Sequence, residues 1–172
     1  RKNFSIRNSN KFTDTIPCPY YFLSMIYRKI KNEKISSFID LGCGNGRVLY
    51  FFNKKLNIKL FGVELFKNSY NYCSNIFKNS KNITIVNKNF FDLNFNLLKF
   101  DCYFLNDPLK RLEDHNNLIN SILSSHRLNN TNAMFVLVNL AKGKSDVFKD
   151  LELVFCYSKS SRNILIYKTK NK

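Results

Sequence analysis

The sequence predicts a doubly wound α/β fold: a mostly parallel seven-stranded sheet with helices on both faces and the last strand antiparallel. Three observations predict it. Short apolar runs alternate with amphipathic helical stretches from residue 19 to residue 138. A Gly-x-Gly-x-Gly turn, residues 42–46, joins the first such run to a helix. Two strand-like runs, Leu151–Ser158 and Arg162–Lys168, end the fold and read as a hairpin across a short polar turn. A chain of 172 residues is long enough for one domain with a real core. We expect that single domain over residues 17–172, behind an irregular lead-in at residues 1–16.

The elements follow in order. The lead-in is basic, with Arg1, Lys2, Arg7 and Lys11, and Thr13–Pro17 reads as a turn or extended segment. Residues 19–30 carry apolar side chains at 22, 23, 26, 27 and 30, a helical stripe. Tyr20 and Tyr21 at its start are candidates to roof a ligand, against a plain core role. Ser36–Leu41 is the first strand, and Gly46–Lys55 a helix with Val48, Leu49, Phe51 and Phe52 inward. Leu60–Glu64 is the second strand, and it ends in a carboxylate. Lys67–Asn79 is a helix expected to bury Tyr70, Cys73, Ile76 and Phe77. Ile83–Asn87 and Phe100–Leu105 are the third and fourth strands. Lys110–Leu128 is amphipathic, and its His115 is expected in solvent. Ala133–Val138 is a continuous apolar run, the mark of a strand buried on both faces. Asn139–Lys149 reads as a turn and short helix.

Composition narrows the class. No run approaches the roughly 18 apolar residues of a membrane helix. The five cysteines are scattered, with no Cys-x-x-Cys, and the two histidines are far apart. Neither a zinc site nor a disulfide framework is expected, and a reducing cytoplasm fits best. The net charge of +16 is what a nucleic-acid binder would carry. Yet 26 asparagines, and 21 lysines against 7 arginines, are also the product of AT-rich codons, and the cations are spread along the chain. Charge therefore leaves a protein amine and a nucleic acid both open as partners.

The chemistry centres on Asp40-Leu41-Gly42-Cys43-Gly44-Asn45-Gly46. Glycine lacks a Cβ and tolerates positive φ, so a ligand can lie against bare main chain. The helix that follows turns free N–H groups toward it. Dinucleotide-binding folds space their glycines as Gly-x-Gly-x-x-Gly, with an acid about 20 residues on. Here the third glycine comes one residue early and an acid precedes the first. This pattern resembles motif I of the class I S-adenosylmethionine (SAM) methyltransferases. The resemblance implies Asp40 near the methionine amino group. It places Gly42 and Gly44 under the methionine and ribose, with Cys43 and Gly46 completing the turn.

Gly62-Val63-Glu64 resembles motif II of that family, which implies Glu64 on the ribose hydroxyls and Leu65 beside the adenine. Asp92, a few residues past the third strand, resembles the motif III acid that accepts the adenine amino hydrogen; Phe91 or Phe90 would flank the ring. Asn106-Asp107-Pro108-Leu109, at the end of the fourth strand, resembles motif IV of amino-methylating enzymes, commonly Asn-Pro-Pro-Tyr or Asn-Pro-Phe. Asp107 and Leu109 depart from those patterns. An aromatic ring in this motif can stack on a flipped base, so Leu109 counts against a base in DNA. By resemblance, Asn106, Asp107 and Pro108 are the catalytic candidates and would orient an amine. The whole resembles small bacterial methyltransferases compared with protein-lysine enzymes. The expected activity is methyl transfer from SAM to an amine nitrogen, with S-adenosylhomocysteine as product. The alternatives are an RNA or DNA methyltransferase using the basic surface, a non-catalytic SAM-binding module, or a dinucleotide oxidoreductase.

Overall fold

In a computed structural model, residues 11–13, 16–140 and 146–170 are described. The parallel strands are β1 (Ser37–Leu41), β2 (Lys59–Glu64), β3 (Ile83–Asn87), β4 (Cys102–Asn106) and β5 (Met134–Val138). The chain then adds β6 (Leu151–Lys159) and β7 (Arg162–Thr169), the hairpin read from the sequence. Sheet order is β3-β2-β1-β4-β5-β7-β6, with β7 inserted antiparallel between β5 and β6. The helices are α1 (Tyr20–Ile30), α2 (Arg47–Asn53), α3 (Lys67–Phe77) and α4 (Leu112–Leu128). Predicted boundaries shift by one or two residues at most ends, where helices fray and strands lose partners.

Both faces of the sheet are covered, so the central strands alternate between two cores rather than between core and water. Phe38, Cys102, Phe104, Met134 and Val136 face α1, α2 and α3. Ile39, Tyr103, Leu105, Phe135 and Leu137 face α4 and the segment from Phe90 to Phe100. This accounts for the unbroken apolar run at β5, where every residue is buried. On α3, burial falls on Ser69, Cys73 and Phe77, one residue per turn. Ile76, expected inward, lies on the flank of that stripe and is 46% exposed.

β1 pairs with β2 on one side and β4 on the other. The chain leaves β1 toward one edge and later returns toward the opposite edge. A crevice opens at that switch point, outside the carboxyl ends of the strands. Three segments with chemical promise converge there: residues 42–46, Glu64–Phe66, and the loop that begins at Asn106. Among the described residues no helix is long and apolar enough to cross a membrane.

Candidate functional site: a cofactor crevice

The glycine turn is held in place by main chain. The Val63 carbonyl accepts N–H bonds from Gly42 (2.9 Å) and Cys43 (3.0 Å), which ties the turn to the end of β2. Gly42, Gly44 and Gly46 have φ of 92°, 52° and 79°, which residues with a Cβ rarely adopt. At Gly42 a Cβ would stand 3.4 Å from Pro108 Cβ, so the turn meets the loop after β4 across the crevice. At Gly46 a Cβ would fall 2.7 Å from both Cys73 Sγ and a ring carbon of Phe77. This glycine is what lets the start of α2 close on α3.

Two carboxylates lie behind the turn. Asp40 is 2% exposed and its Oδ2 has no hydrogen-bond partner. Burial raises its pKa well above the ordinary carboxylate value, and the charge of Glu64 adds to the shift. Glu64, also buried, accepts from Gly44 N–H through Oε2 (2.7 Å) and from Phe66 N–H through Oε1 (2.8 Å). Burial raises its pKa too, against the opposing pull of those N–H groups. Each Glu64 oxygen therefore has a fixed direction and one lone pair to spare for a hydroxyl. Asp40 has the opposite character: a buried acceptor without a donor, which a cationic amino group would satisfy. A methionine amine on Asp40 and ribose hydroxyls on Glu64 fit this donor set.

The crevice is walled by Gly42, Glu64, Leu65, Phe66, Asn106 and Pro108, together with Phe90 and three residues of the lead-in: Phe12, Thr13 and Ile16. Of the residues singled out in the sequence, Gly42, Glu64, Leu65, Asn106 and Pro108 thus meet at one cleft. Asp40, Cys43, Gly44 and Gly46 form the packed layer behind it. The Cys43 thiol is hydrogen-bonded to Cys73, which with burial raises its pKa.

Several expectations change. Phe90, not Phe91, lines the crevice, because a short 3-10 turn over Phe90–Asp92 carries the first ring inward. Phe91 instead lies under Lys11, whose Nζ is 3.8 Å from the ring centre. Asp92 is exposed and is not among the residues lining the crevice. Tyr20 and Tyr21 are about half exposed and do not line it either; Tyr20 stacks beside Arg47, 5.3 Å from its guanidinium carbon. His115 is buried rather than solvated, at 2% exposure, because its ring turns under the loop after β4 and meets the Leu109 carbonyl at 3.1 Å.

The lead-in is the part that sequence reasoning missed. Phe12 bridges Leu109, Thr13 N–H donates to the Pro108 carbonyl (3.2 Å), and the Thr13 hydroxyl donates to the Asp107 carbonyl. Asn106 Nδ2 donates to the Ile16 carbonyl (2.6 Å), and its Oδ1 accepts from Asn139 Nδ2 (3.1 Å). Phe12 also meets Phe90 edge-on at 5.8 Å. Lys11, Phe12, Thr13 and Ile16 are therefore fastened to the loop after β4. The available signal was Phe12 and Ile16, apolar residues in a polar stretch.

A bare glycine turn backed by a buried acid, with a second acid at the end of β2 and a crevice at the switch point, is the layout of an α/β enzyme that binds a nucleoside cofactor. Comparison with protein families agrees: residues 32–163 match the methyltransferase domain model. The chain belongs to that family, as a class I SAM-dependent methyltransferase. Among solved structures, the proposed methyltransferase yhhF from Escherichia coli superposes with a TM-score of 0.69 at 13% identity, over 93% of this chain and 94% of that one. An RNA methyltransferase from Salinibacter ruber, in complex with S-adenosylhomocysteine, gives 0.68 at 12% identity, over 91% and 95%. A proposed methylase from Haemophilus influenzae gives 0.65 at 18% identity, over 87% and 89%. These likenesses establish the fold. Comparison with curated protein sequences finds no match.

Proposed function

We propose that this enzyme transfers the methyl group of SAM to an amine nitrogen presented at the loop of residues 106–109. The observation that carries this reading is that the loop after β4 faces the glycine turn across the crevice: Gly42, Asn106 and Pro108 line it together, and a Cβ placed on Gly42 would stand 3.4 Å from Pro108 Cβ. It sets a polar loop, rather than an apolar wall, against the cofactor side of the crevice. In this reading Asp40 holds the methionine amine, residues 42–46 run under methionine and ribose, and Glu64 takes the ribose hydroxyls. Leu65 and Phe90 flank the adenine. Asp92 and Phe91 are left out of that set, since neither lines the crevice.

The sulfonium of SAM supplies an activated methyl, so the protein's share is alignment and exclusion of water. Asn106 is held from both sides and acts as a positioning residue, its Oδ1 keeping one lone pair for an amine hydrogen. Asp107, with φ of 43°, carries its carboxylate out of the strand path toward α4. A lysine acceptor has an ordinary pKa of about 10.4, and must shed a proton before it attacks. The Asn106 amide oxygen, at the crevice wall, is the acceptor placed for that task. Five free thiols fit a reducing compartment such as the cytoplasm.

The second reading is an amine on a nucleic-acid base. It is favoured by the net charge of +16 and by the RNA methyltransferase among the structural neighbours. Against it, Leu109 is 2% exposed and offers no surface to a flipped base. Labelled-methyl transfer from SAM to cell extract separates the readings. Label removed by protease and spared by nuclease is the expected outcome. The reverse favours nucleic acid, and no labelled acceptor at all leaves a SAM-binding module without catalysis.

A further inference from the structure

Three asparagines gather beside the acceptor loop. Asn106 closes β4, Asn139 directly follows β5, and Asn163 is the second residue of β7. β4 and β5 run parallel and β7 runs against them, so the start of β7 meets the ends of the other two. Asn106 lines the cofactor crevice; Asn139 and Asn163 are not among the residues that line it.

The direction of each amide follows from its partners. The Ile16 carbonyl can only accept, so the Asn106 end that meets it at 2.6 Å is Nδ2. Its Oδ1 then faces Asn139, whose Nδ2 donates to it at 3.1 Å. The terminal torsion of an asparagine is broad, so bonds of this kind are what fix the amide plane. Without the Asn139 donor, Asn106 keeps the bond to Ile16 and its amide plane is free to turn about it.

Asn139 is set in turn by the backbone. Its φ of 57° lies in the left-handed region, where asparagine is one of the few residues at ease. Asn163 holds this bend at two points. Its carbonyl accepts from Asn139 N–H at 2.9 Å, and its Nδ2 donates to the Leu140 carbonyl at 2.8 Å. Asn163 is buried, which shields both bonds from competing water. The bend thereby aims a side-chain donor at the loop after β4. Glycine would serve the bend equally well and supply no donor.

We propose that Asn139 is a positioning residue for methyl transfer. It fixes the Asn106 amide so that the second lone pair of Oδ1 meets the acceptor amine, with Asn163 as the clamp beneath it. The inference deepens the amine-acceptor reading and rests on it. Asn139 does not line the crevice, so its effect belongs to the transfer step and not to SAM binding.

The test is a double-mutant cycle in the full chain: Asn139→Gly, Asn106→Ala, and the two together. Each is assayed by labelled-methyl transfer from SAM over a series of cell-extract concentrations, which separates the maximal rate from the half-saturating amount. Asn139→Gly suits the left-handed backbone and keeps the main-chain bond to Asn163, so it should melt like wild type. Its maximal rate should fall about 2- to 12-fold, the scale of one hydrogen bond, with the SAM Kd from calorimetry unchanged. In the Asn106→Ala background the glycine change should do nothing further, because the donor has lost the group it orients. Equal losses in both backgrounds would overturn the proposal. So would a glycine variant with the wild-type rate, or one whose loss lies in SAM affinity. A folding defect would lower both backgrounds alike, so the cycle still decides if Asn139→Gly melts early. Wild-type enzyme that binds SAM and labels no extract component would defeat the amine-acceptor reading and the proposal with it. A labelled amine with no coupling between positions 106 and 139 would sink the proposal alone.

Discussion

Asp40→Asn should make the cofactor-free enzyme more stable and its cofactor binding worse. Asp40 is buried, its Oδ2 has no donor, and burial followed by the charge of Glu64 raises its pKa well above the usual 3.8. A carboxyl group raised in the folded state favours folding at low pH. As pH climbs past about 4, the unfolded chain releases this proton while the folded chain keeps it, and stability falls across that window. Asparagine cannot ionise and removes the loss. Leaving a buried polar group unsatisfied costs about 1–3 kcal/mol, and the variant should recover up to that amount at neutral pH. For a chain of this length each kcal/mol moves Tm by about 2–4 °C, so a rise of about 2–12 °C is expected near pH 8, shrinking toward zero near pH 4. SAM affinity should move the other way. Hydrogen bonds to charged groups contribute about 1.5–3 kcal/mol, so Kd should rise about 10- to 150-fold. Melting curves at the two pH values and calorimetry with SAM measure both. A cofactor-free variant that melts below wild type near pH 8, or one that binds SAM equally well, would refute the reasoning.

Glu64→Ala should weaken SAM by about 1–3 kcal/mol and also lower stability, because Gly44 and Phe66 N–H lose their shared acceptor; calorimetry with unchanged SAM affinity would remove Glu64 from the site. Gly46→Ala combines left-handed strain with a Cβ 2.7 Å from Cys73 and Phe77, and should cost about 2–5 kcal/mol in denaturant titration. Phe12→Ala removes the edge-on contact with Phe90 and should raise the SAM Kd about 2- to 12-fold, the scale of an aromatic pair; an unchanged Kd would mean the lead-in does not cover the cofactor. His126 has its pKa lowered by burial and then by Lys99, while its ring bonds the Tyr103 hydroxyl at 2.9 Å and Thr131 at 2.8 Å. Because the folded value is depressed, the unfolded chain takes up the proton first as pH falls below about 6.5, and stability is lost from there to the depressed value. In His126→Gln that acid-side decline should flatten, and urea titrations across the range would show whether it does.

The alternation of strand and helix, the glycine turn and the terminal hairpin were legible in order, because each is a local pattern. An apolar run such as 133–138 reads as a doubly covered strand, since both of its faces must leave water. The same holds for Asp40, Glu64 and the residues 106–109: their spacing from glycines and strand ends is a property of the chain itself. His115 was not legible. A histidine in the first turn of an amphipathic helix reads as solvated, and only the loop folding back over it buries the ring. Phe90 and Phe91 are adjacent and chemically alike, and the turn that chooses between them is capped by Asn89, whose side chain accepts from Phe91 N–H at 3.1 Å.

By itself, then, the sequence determined the sheet, the crevice's position and the chemical types of the groups at its base. Tertiary structure alone decided that Lys11, Phe12, Thr13 and Ile16 fasten to the loop after β4, that Phe90 turns its ring into the crevice, and that Asp107 and His115 meet. The physical reason is range. Backbone conformation and periodic burial are set by neighbours in sequence, whereas a wall built from residues about 90 positions apart, such as Thr13 and Asp107, exists only once the chain has closed on itself.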